Sequence, residues 1–204
     1  MKHLTLILTM FFVLSCTTQK SRDLSNDNLI TMTFSATEIN DLVIIQDFFD
    51  NCIGLAENEK QDNIDKVYFD FFQQNSDITK ATDLKIPIDF EKQKGLYNQI
   101  DKKTFEDIWS IDRFIKRDSN DTLKNVGLNR HGKYFEFLKL LGGQDSTINK
   151  YYNTLEVAGD ISPSMVADLA INHEKYDIKD PKVRLVIAIH YLTLNDKFER
   201  KEKY

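Results

Sequence analysis

The feature that most constrains the fold is a C-terminal segment, residues 181 to 200, that is apolar on nearly every side of a helix. Asp180-Pro181 starts it, because Asp is a good N-cap and proline is tolerated at the first helical position. A helix without a polar face has to be packed on several sides. We therefore expect this helix to form the centre of a bundle, through its apolar residues Val183, Leu185, Val186, Ile187, Ala188, Ile189, Tyr191, Leu192 and Leu194.

Most of the remaining chain has the spacing of amphipathic helices. Ser35-Ala36-Thr37-Glu38 has the pattern of a capping box and predicts a helix that continues to Cys52 and Ile53 and stops at Gly54. Ser162-Pro163 predicts another helix start. Further helices are expected over residues 61 to 74, 89 to 100, 104 to 117, 134 to 141 and 146 to 158.

The predicted fold class is all-α: a single compact bundle of about six to eight helices, with a buried C-terminal helix. It occupies residues 34 to 204. Only residues 29 to 34 and 84 to 88 are strand candidates, and residues 118 to 132 are interpreted as a turn followed by helical turns broken at Gly127. Seven glycines and three prolines leave few breaks, and we find no internal repeat.

The N-terminus has the features of a secretory signal. Met1-Lys2-His3 is basic, and the apolar run that follows ends at Leu14, too early for the ~20 residues that a membrane-spanning helix needs. Val13-Leu14-Ser15-Cys16 resembles the lipobox of bacterial lipoproteins, although Leu14 is bulkier than the usual residue at its position. The resemblance implies cleavage after residue 15 and acylation of Cys16. The alternative is an ordinary signal with an incidental cysteine.

Residues 16 to 33 are then expected to be the acylated cysteine and a flexible polar tether. The stretch Thr17-Thr18-Gln19-Lys20 is not acidic and has no aspartate next to the cysteine. By resemblance, this favours an outer-membrane anchor that faces the periplasm. Acylation of Cys16 would leave Cys52 without an intramolecular disulfide partner. A net charge of −5 argues against nucleic acid as a partner.

No catalytic, metal-binding or cofactor-binding constellation is recognisable in the sequence. His131, His173 and His190 lack the spacing of a zinc site. His173-Glu174 is interpreted as a helix C-terminus, and His190 as a core histidine whose ring meets a backbone or tyrosine partner. If a site exists, its candidates are His173, Glu174 and His190.

Other patterns favour structural interpretations. Glu106-Asp107-Ile108-Trp109 does not form a glycosidase carboxylate pair, because adjacent helical residues point ~100° apart. Gly142-Gly143 is interpreted as a helix stop, and Cys52 as a buried inert thiol. The aromatic pairs along the chain are interpreted as core, with a ligand cage as the alternative.

Three hypotheses for the function remain open. The first is a membrane-anchored, non-enzymatic binding protein, such as an immunity protein or an inhibitor of a toxin or wall hydrolase. The second is an accessory subunit of an outer-membrane assembly, which should show an exposed apolar patch. The third is an enzyme, which would require His173, His190 and nearby carboxylates to converge in a cleft.

Overall fold

The computed structural model describes residues 24–55, 61–75, 84–115 and 122–203, and within them the prediction of a helical fold is confirmed. The described residues form nine α-helices and one two-stranded sheet. The helices are α1 (Asn28–Thr33), α2 (Ala36–Cys52), α3 (Gln61–Gln73), α4 (Phe90–Gln99), α5 (Lys102–Ile108), α6 (Lys133–Gly142), α7 (Ser146–Ala158), α8 (Pro163–Ile171) and α9 (Pro181–Glu199). The strands are β1 (Trp109–Ile115) and β2 (Thr122–Leu128).

Helix α9 is the centre of the fold, as its composition predicts. Every side chain from Val183 to Asp196 is buried, and the helix packs against α2, α4 and β2. Asp180 caps its first turn by accepting a hydrogen bond from the Lys182 backbone amide. Burying a polar group is costly unless it finds a partner. Asn195 accordingly donates to Gln93 Oε1 at 2.7 Å.

The folded part of the chain begins earlier than residue 34. Leu24 and Ile30 are fully buried, and residues 28 to 33 form helix α1 instead of the tether or strand suggested by the sequence. Asp27 is the N-cap of this helix, because its side chain accepts hydrogen bonds from the backbone amides of Leu29 and Ile30. The same carboxylate pairs with Lys182 at 2.6 Å, which fastens this segment to the start of α9. Residues 1 to 23 lie outside the described residues.

The helix that the sequence predicts over residues 104 to 117 is present only as far as Ile108, and a β-hairpin replaces its continuation. Helix α5 ends at Ile108, and β1 then pairs antiparallel with β2 from Trp109↔Leu128 to Ile115↔Thr122. Residues 122 to 128 were expected to be helical turns and form β2. The sequence does not decide between helix and strand here, because Arg113 and Phe114 interrupt the alternation of Trp109, Ile111 and Ile115. Pairing with β2 selects the strand. The other strand candidate, residues 84 to 88, is irregular and pairs with no strand among the described residues.

Glu38 connects three of the helices. The predicted capping box is present: the Ser35 backbone amide donates to Glu38 Oε2 at 2.7 Å, and the Glu38 amide donates to the Ser35 hydroxyl. The Glu38 carboxylate also binds Lys103 of α5 and Lys133 of α6. Burial raises the pKa of Glu38, but these two ammonium groups outweigh it and hold the pKa well below its usual range. The start of α2 is thereby tied to α5 and α6.

Candidate functional site

An open groove of about 1030 Å³ lies between α4, α5 and the first residues of β1. Its size is at the upper end of the ~300–1,000 Å³ that is typical of ligand pockets. The floor is aromatic, and the rim carries charges of both signs. The aromatic residues are Tyr97, Phe105 and Trp109, and the charged residues are Lys94, Lys102, Glu106, Arg200 and Glu202.

The three aromatic rings of the floor hold each other in place. Tyr97 and Phe105 meet edge to face with 5.1 Å between ring centroids, and Trp109 lies 5.2 Å from Tyr97 and 5.4 Å from Phe105. Such edge-on and tilted pairs stabilise packing by about 0.5–1.5 kcal/mol beyond the area that they bury. The buried Trp109 ring is fixed from below, because its Nε1–H donates to Thr193 Oγ1 of α9 at 2.9 Å. The three rings of the floor are therefore packed against each other and against α9 without a ligand.

Tyr97 presents a neutral phenol in this floor. Burial raises its pKa well above the usual range, and the nearby Asp196 carboxylate adds to the rise. Gln93 Nε2 donates to the Tyr97 hydroxyl oxygen at 2.5 Å and also to the Leu192 carbonyl of α9. The ring thus has a fixed orientation. Its hydroxyl is engaged by Gln93, so Tyr97 offers the groove an uncharged ring.

The charges of the rim are largely paired with each other. Arg200 makes two hydrogen bonds to the buried Asp196, at 2.7 and 2.8 Å, and a third ionic contact to Glu202 at 2.9 Å. Its hydrogen bonds to Asp196 raise the pKa of Arg200 further. Lys102 and Glu106, on consecutive turns of α5, lie 3.3 Å apart. Paired charges on a rim orient a partner more than they add to its affinity.

His190 does not line this groove and is a fully buried core residue. Its Nδ1 shares a hydrogen bond of 3.1 Å with the Tyr151 hydroxyl, so the ring has the tyrosine partner that the sequence allowed for. Burial lowers the pKa of His190 to about 3, and the positive Lys197 acts in the same direction. The ring is therefore neutral at physiological pH.

His173 and Glu174 lie in a short 3₁₀ turn that follows α8 and line a separate cavity of about 440 Å³, whose walls do not include His190. The His173 ring stacks on Phe72 at 4.9 Å, and its Nδ1–H donates to the carbonyl of Ala170 in the last turn of α8. Glu174 is exposed. The structure thus does not bring the three candidate residues of the sequence into one cleft.

Only one of the two cysteines, Cys52, lies among the described residues. Cys16, the predicted acylation site, lies outside the described residues. Cys52 ends α2 and is only partly buried, less than the sequence suggested. Burial nevertheless raises the pKa of its thiol, which keeps the less reactive protonated form.

The groove itself was not predicted from the sequence. Glu106 and Trp109 do line it together, whereas Asp107 lines another cavity beside Lys133, so the adjacent carboxylates diverge as expected. In the sequence the aromatic residues stand out as adjacent pairs, whereas Tyr97, Phe105 and Trp109 lie in three different elements. No signal in the sequence points to the groove, because only the tertiary fold brings these three elements together.

Within the described residues, no group of three His, Cys, Asp or Glu side chains is placed to hold a metal ion. In the same part of the chain, no helix combines the length and apolar character needed to cross a membrane. Comparisons of this chain with protein-family models, with curated proteins and with solved structures find no match.

Proposed function

We propose that this chain is a lipid-anchored protein of the bacterial envelope whose helical domain binds another protein, without catalysis, through the aromatic groove. The observation that carries the proposal is the pair of partly exposed rings of Tyr97 and Phe105, packed on the buried Trp109 and next to Ile111, which is 52% accessible. Protein interfaces concentrate their binding energy in a few aromatic and arginine residues surrounded by a polar rim. The groove has this composition.

Preorganisation supports a binding role. Trp109 is held by Thr193 and Tyr97 by Gln93, so a ligand would not have to order the floor when it binds. Rigid sites avoid the cost of about 0.5–1.5 kcal/mol for each side chain that is immobilised on binding. The catalytic alternative has less support, because His173 and His190 face different surroundings.

The character of the groove favours an assembly partner over a toxin as the bound protein. A basic toxin or hydrolase would be met best by an acidic groove. Here the rim combines Lys94, Lys102 and Arg200 with two glutamates, and the strand beside it exposes Ile111 and Ile115. The accessory-subunit hypothesis expects exposed apolar side chains on the domain in place of an acidic groove. We therefore place the accessory-subunit role ahead of the immunity role.

The binding half of the proposal is tested with two matched variants. Ile111→Asp puts a charge at the groove, and Ile171→Asp puts the same charge on an equally exposed isoleucine of α8, 56% accessible. Each full-length protein, and the wild type, is tagged and recovered with its partners from detergent-solubilised envelopes. We expect the same partner with the wild type and Ile171→Asp, and its loss with Ile111→Asp. Equal recovery by all three proteins, or no partner at all, would contradict the proposal.

The anchor half is tested by metabolic labelling with palmitate. The wild type and Cys52→Ser should both be labelled, whereas Cys16→Ser should not, because only Cys16 lies in the lipobox-like motif. Cys52→Ser is the matched control, since it removes the only other cysteine. Label in Cys16→Ser, or its absence from the wild type, would rule out the anchor.

A further inference from the structure

The residues that follow α9 cover one edge of the hairpin and reach the groove. The Lys124 amide of β2 donates to the Glu202 carbonyl at 2.9 Å, and Leu123 forms an antiparallel bridge with Lys203. Residues 201 to 203, which we call the tail, therefore lie as a short strand along the edge of β2 that faces away from β1. Glu202 is also one of the residues that line the groove. The chain itself thus occupies part of the proposed binding site.

The Glu202 carboxylate is shared by two cations. It lies 2.9 Å from Nη1 of Arg200 and 3.6 Å from Nζ of Lys124. The other bonds of the Arg200 guanidinium, from Nε and Nη2, go to the buried Asp196. Two acids and two cations therefore balance each other beside the groove. If the Glu202 carboxylate moved away, one positive charge would remain, and a carboxylate from a ligand would restore the balance.

The contacts of the tail are suited to exchange. The side chains of Glu202 and Lys124 are both more than a third exposed, and ion pairs at such positions contribute little to stability. Arg200 is different, because its side chain is almost fully buried and binds Asp196 through two hydrogen bonds, so it would stay in place without the tail. Behind the tail therefore lie a strand edge, which is a template for pairing with another chain, and a fixed guanidinium, which binds carboxylates.

We infer that the tail is a built-in competitor of the partner protein. An extended segment of the partner displaces residues 201 to 203 from β2, and an acidic side chain of that segment replaces Glu202 between Arg200 and Lys124. The tail indicates this chemistry, because it shows which backbone pairing and which charge the site accepts. The inference rests on the proposed function, since it names the partner's segment and a regulation of the same groove: the tail has to leave before that segment binds.

A peptide copy of the tail tests the inference. The probe is the labelled, end-blocked peptide Arg-Lys-Glu-Lys-Tyr, which has the sequence of residues 200 to 204, titrated into the full-length protein in detergent and followed by fluorescence anisotropy. Glu202→Gln removes the carboxylate of the attached tail and should bind the probe about three- to fivefold more tightly than the wild type does. Glu199→Gln is the matched control: it removes an exposed glutamate of α9 that does not line the groove, and it should bind the probe like the wild type. Equal binding by the wild type and Glu202→Gln, or no binding to either, would overturn the inference.

A second peptide, with Gln in place of Glu, shows whether the carboxylate is recognised. This analogue should bind the Glu202→Gln protein about three- to fivefold more weakly than the Glu probe does, because Arg200 and Lys124 then face an amide. Both peptides have the same length and can form the same backbone hydrogen bonds, so a difference between them reports the carboxylate. Equal affinities would mean that the site does not read the charge and would contradict the inference.

The native partner separates this inference from the proposed function. An excess of the Glu probe should release the partner that the wild type recovers from solubilised envelopes, and the Gln analogue should release less of it. If Ile111→Asp loses the partner but the Glu probe does not release it from the wild type, the groove binds protein and the inferred role of the tail is wrong. If no partner is recovered while the peptides bind in the expected order, the tail site accepts acidic segments and the groove proposal is wrong.

Discussion

The fold keeps the His190 side chain uncharged by surrounding it with apolar and aromatic neighbours. Tyr151 and Tyr191 lie within 6 Å of its ring, at centroid distances of 5.8 and 5.3 Å, and its Nε2 has no partner in the described structure. An imidazolium in this position would have to give up its hydration without a carboxylate in return. This loss of hydration lowers the pKa of His190.

This environment predicts how stability depends on pH. The pKa of His190 falls from 6.5 to about 3 on folding, so below pH 6.5 the unfolded chain binds a proton that the folded chain excludes. The neutral His190 ring therefore makes its full contribution to the free energy of unfolding above pH 6.5. This contribution is lost as the pH falls towards 3. Relative to His190→Gln, which cannot titrate, the wild type should lose up to about 1.4 kcal/mol per pH unit in this window.

Urea unfolding of the two proteins between about pH 7 and pH 4 measures this difference. Both share the same carboxylates, whose titration cancels in the comparison. Stability curves that run parallel through the whole range would show that His190 is protonated in the folded state or is not buried.

At the scale of elements, the position of α5 depends on a close approach at Gly132. This glycine is the N-cap of α6, and a Cβ built on it would collide with the backbone carbonyl oxygen of Asp107. Nearby, Asn129 Nδ2 donates to the Glu106 carbonyl at 2.6 Å. The end of β2 is thereby held against the end of α5. Phe105 and Glu106, which line the groove, lie on this helix.

Replacing Gly132 by Ala should therefore destabilise the protein by about 1–3 kcal/mol, because backbone atoms have to move to admit the methyl group. Gly95→Ala is the matched control: a Cβ at this position in α4 meets nothing within 4 Å. It should stabilise α4 by about 0.5–1 kcal/mol, since Ala is the better helix former. Urea midpoints that move in the same direction for both variants would contradict the close approach at Gly132.

The elements differ in how far their sequence could predict them. α2 and α9 were predictable because a capping box or an Asp-Pro start coincides with a long apolar pattern. Trp109 to Ile115 was assigned to a helix because it continues directly from α5, and only its pairing with β2 selects a strand. The groove could not be predicted, since α4, α5 and β1 each contribute one aromatic side chain and only the tertiary fold brings these together.

At the scale of the whole molecule, the start of the fold at Leu24 limits how far the domain can stand from an anchor at Cys16. A fully extended chain from Cys16 to Leu24 spans at most about 30 Å. The end of this segment is fixed: Lys182 pairs with Asp27, and hydrogen bonds from Lys182 and from the α1 backbone lower the pKa of Asp27 against the opposing effect of burial. Under the proposed anchor, Leu24 therefore has to lie within about 30 Å of the membrane surface.

The contacts of residues 24 to 33 also predict how far the chain can be shortened from its N-terminus. Chains that begin at residue 24 or at residue 34 differ by the buried side chains of Leu24, Leu29 and Ile30 and by the Asp27–Lys182 pair. Burying each apolar side chain stabilises the fold by at most about 1.5–3 kcal/mol. The shorter chain should therefore be less stable by several kcal/mol, seen as a lower urea midpoint. Equal midpoints would mean that residues 24 to 33 are a tether after all, and the domain could then reach further from its anchor.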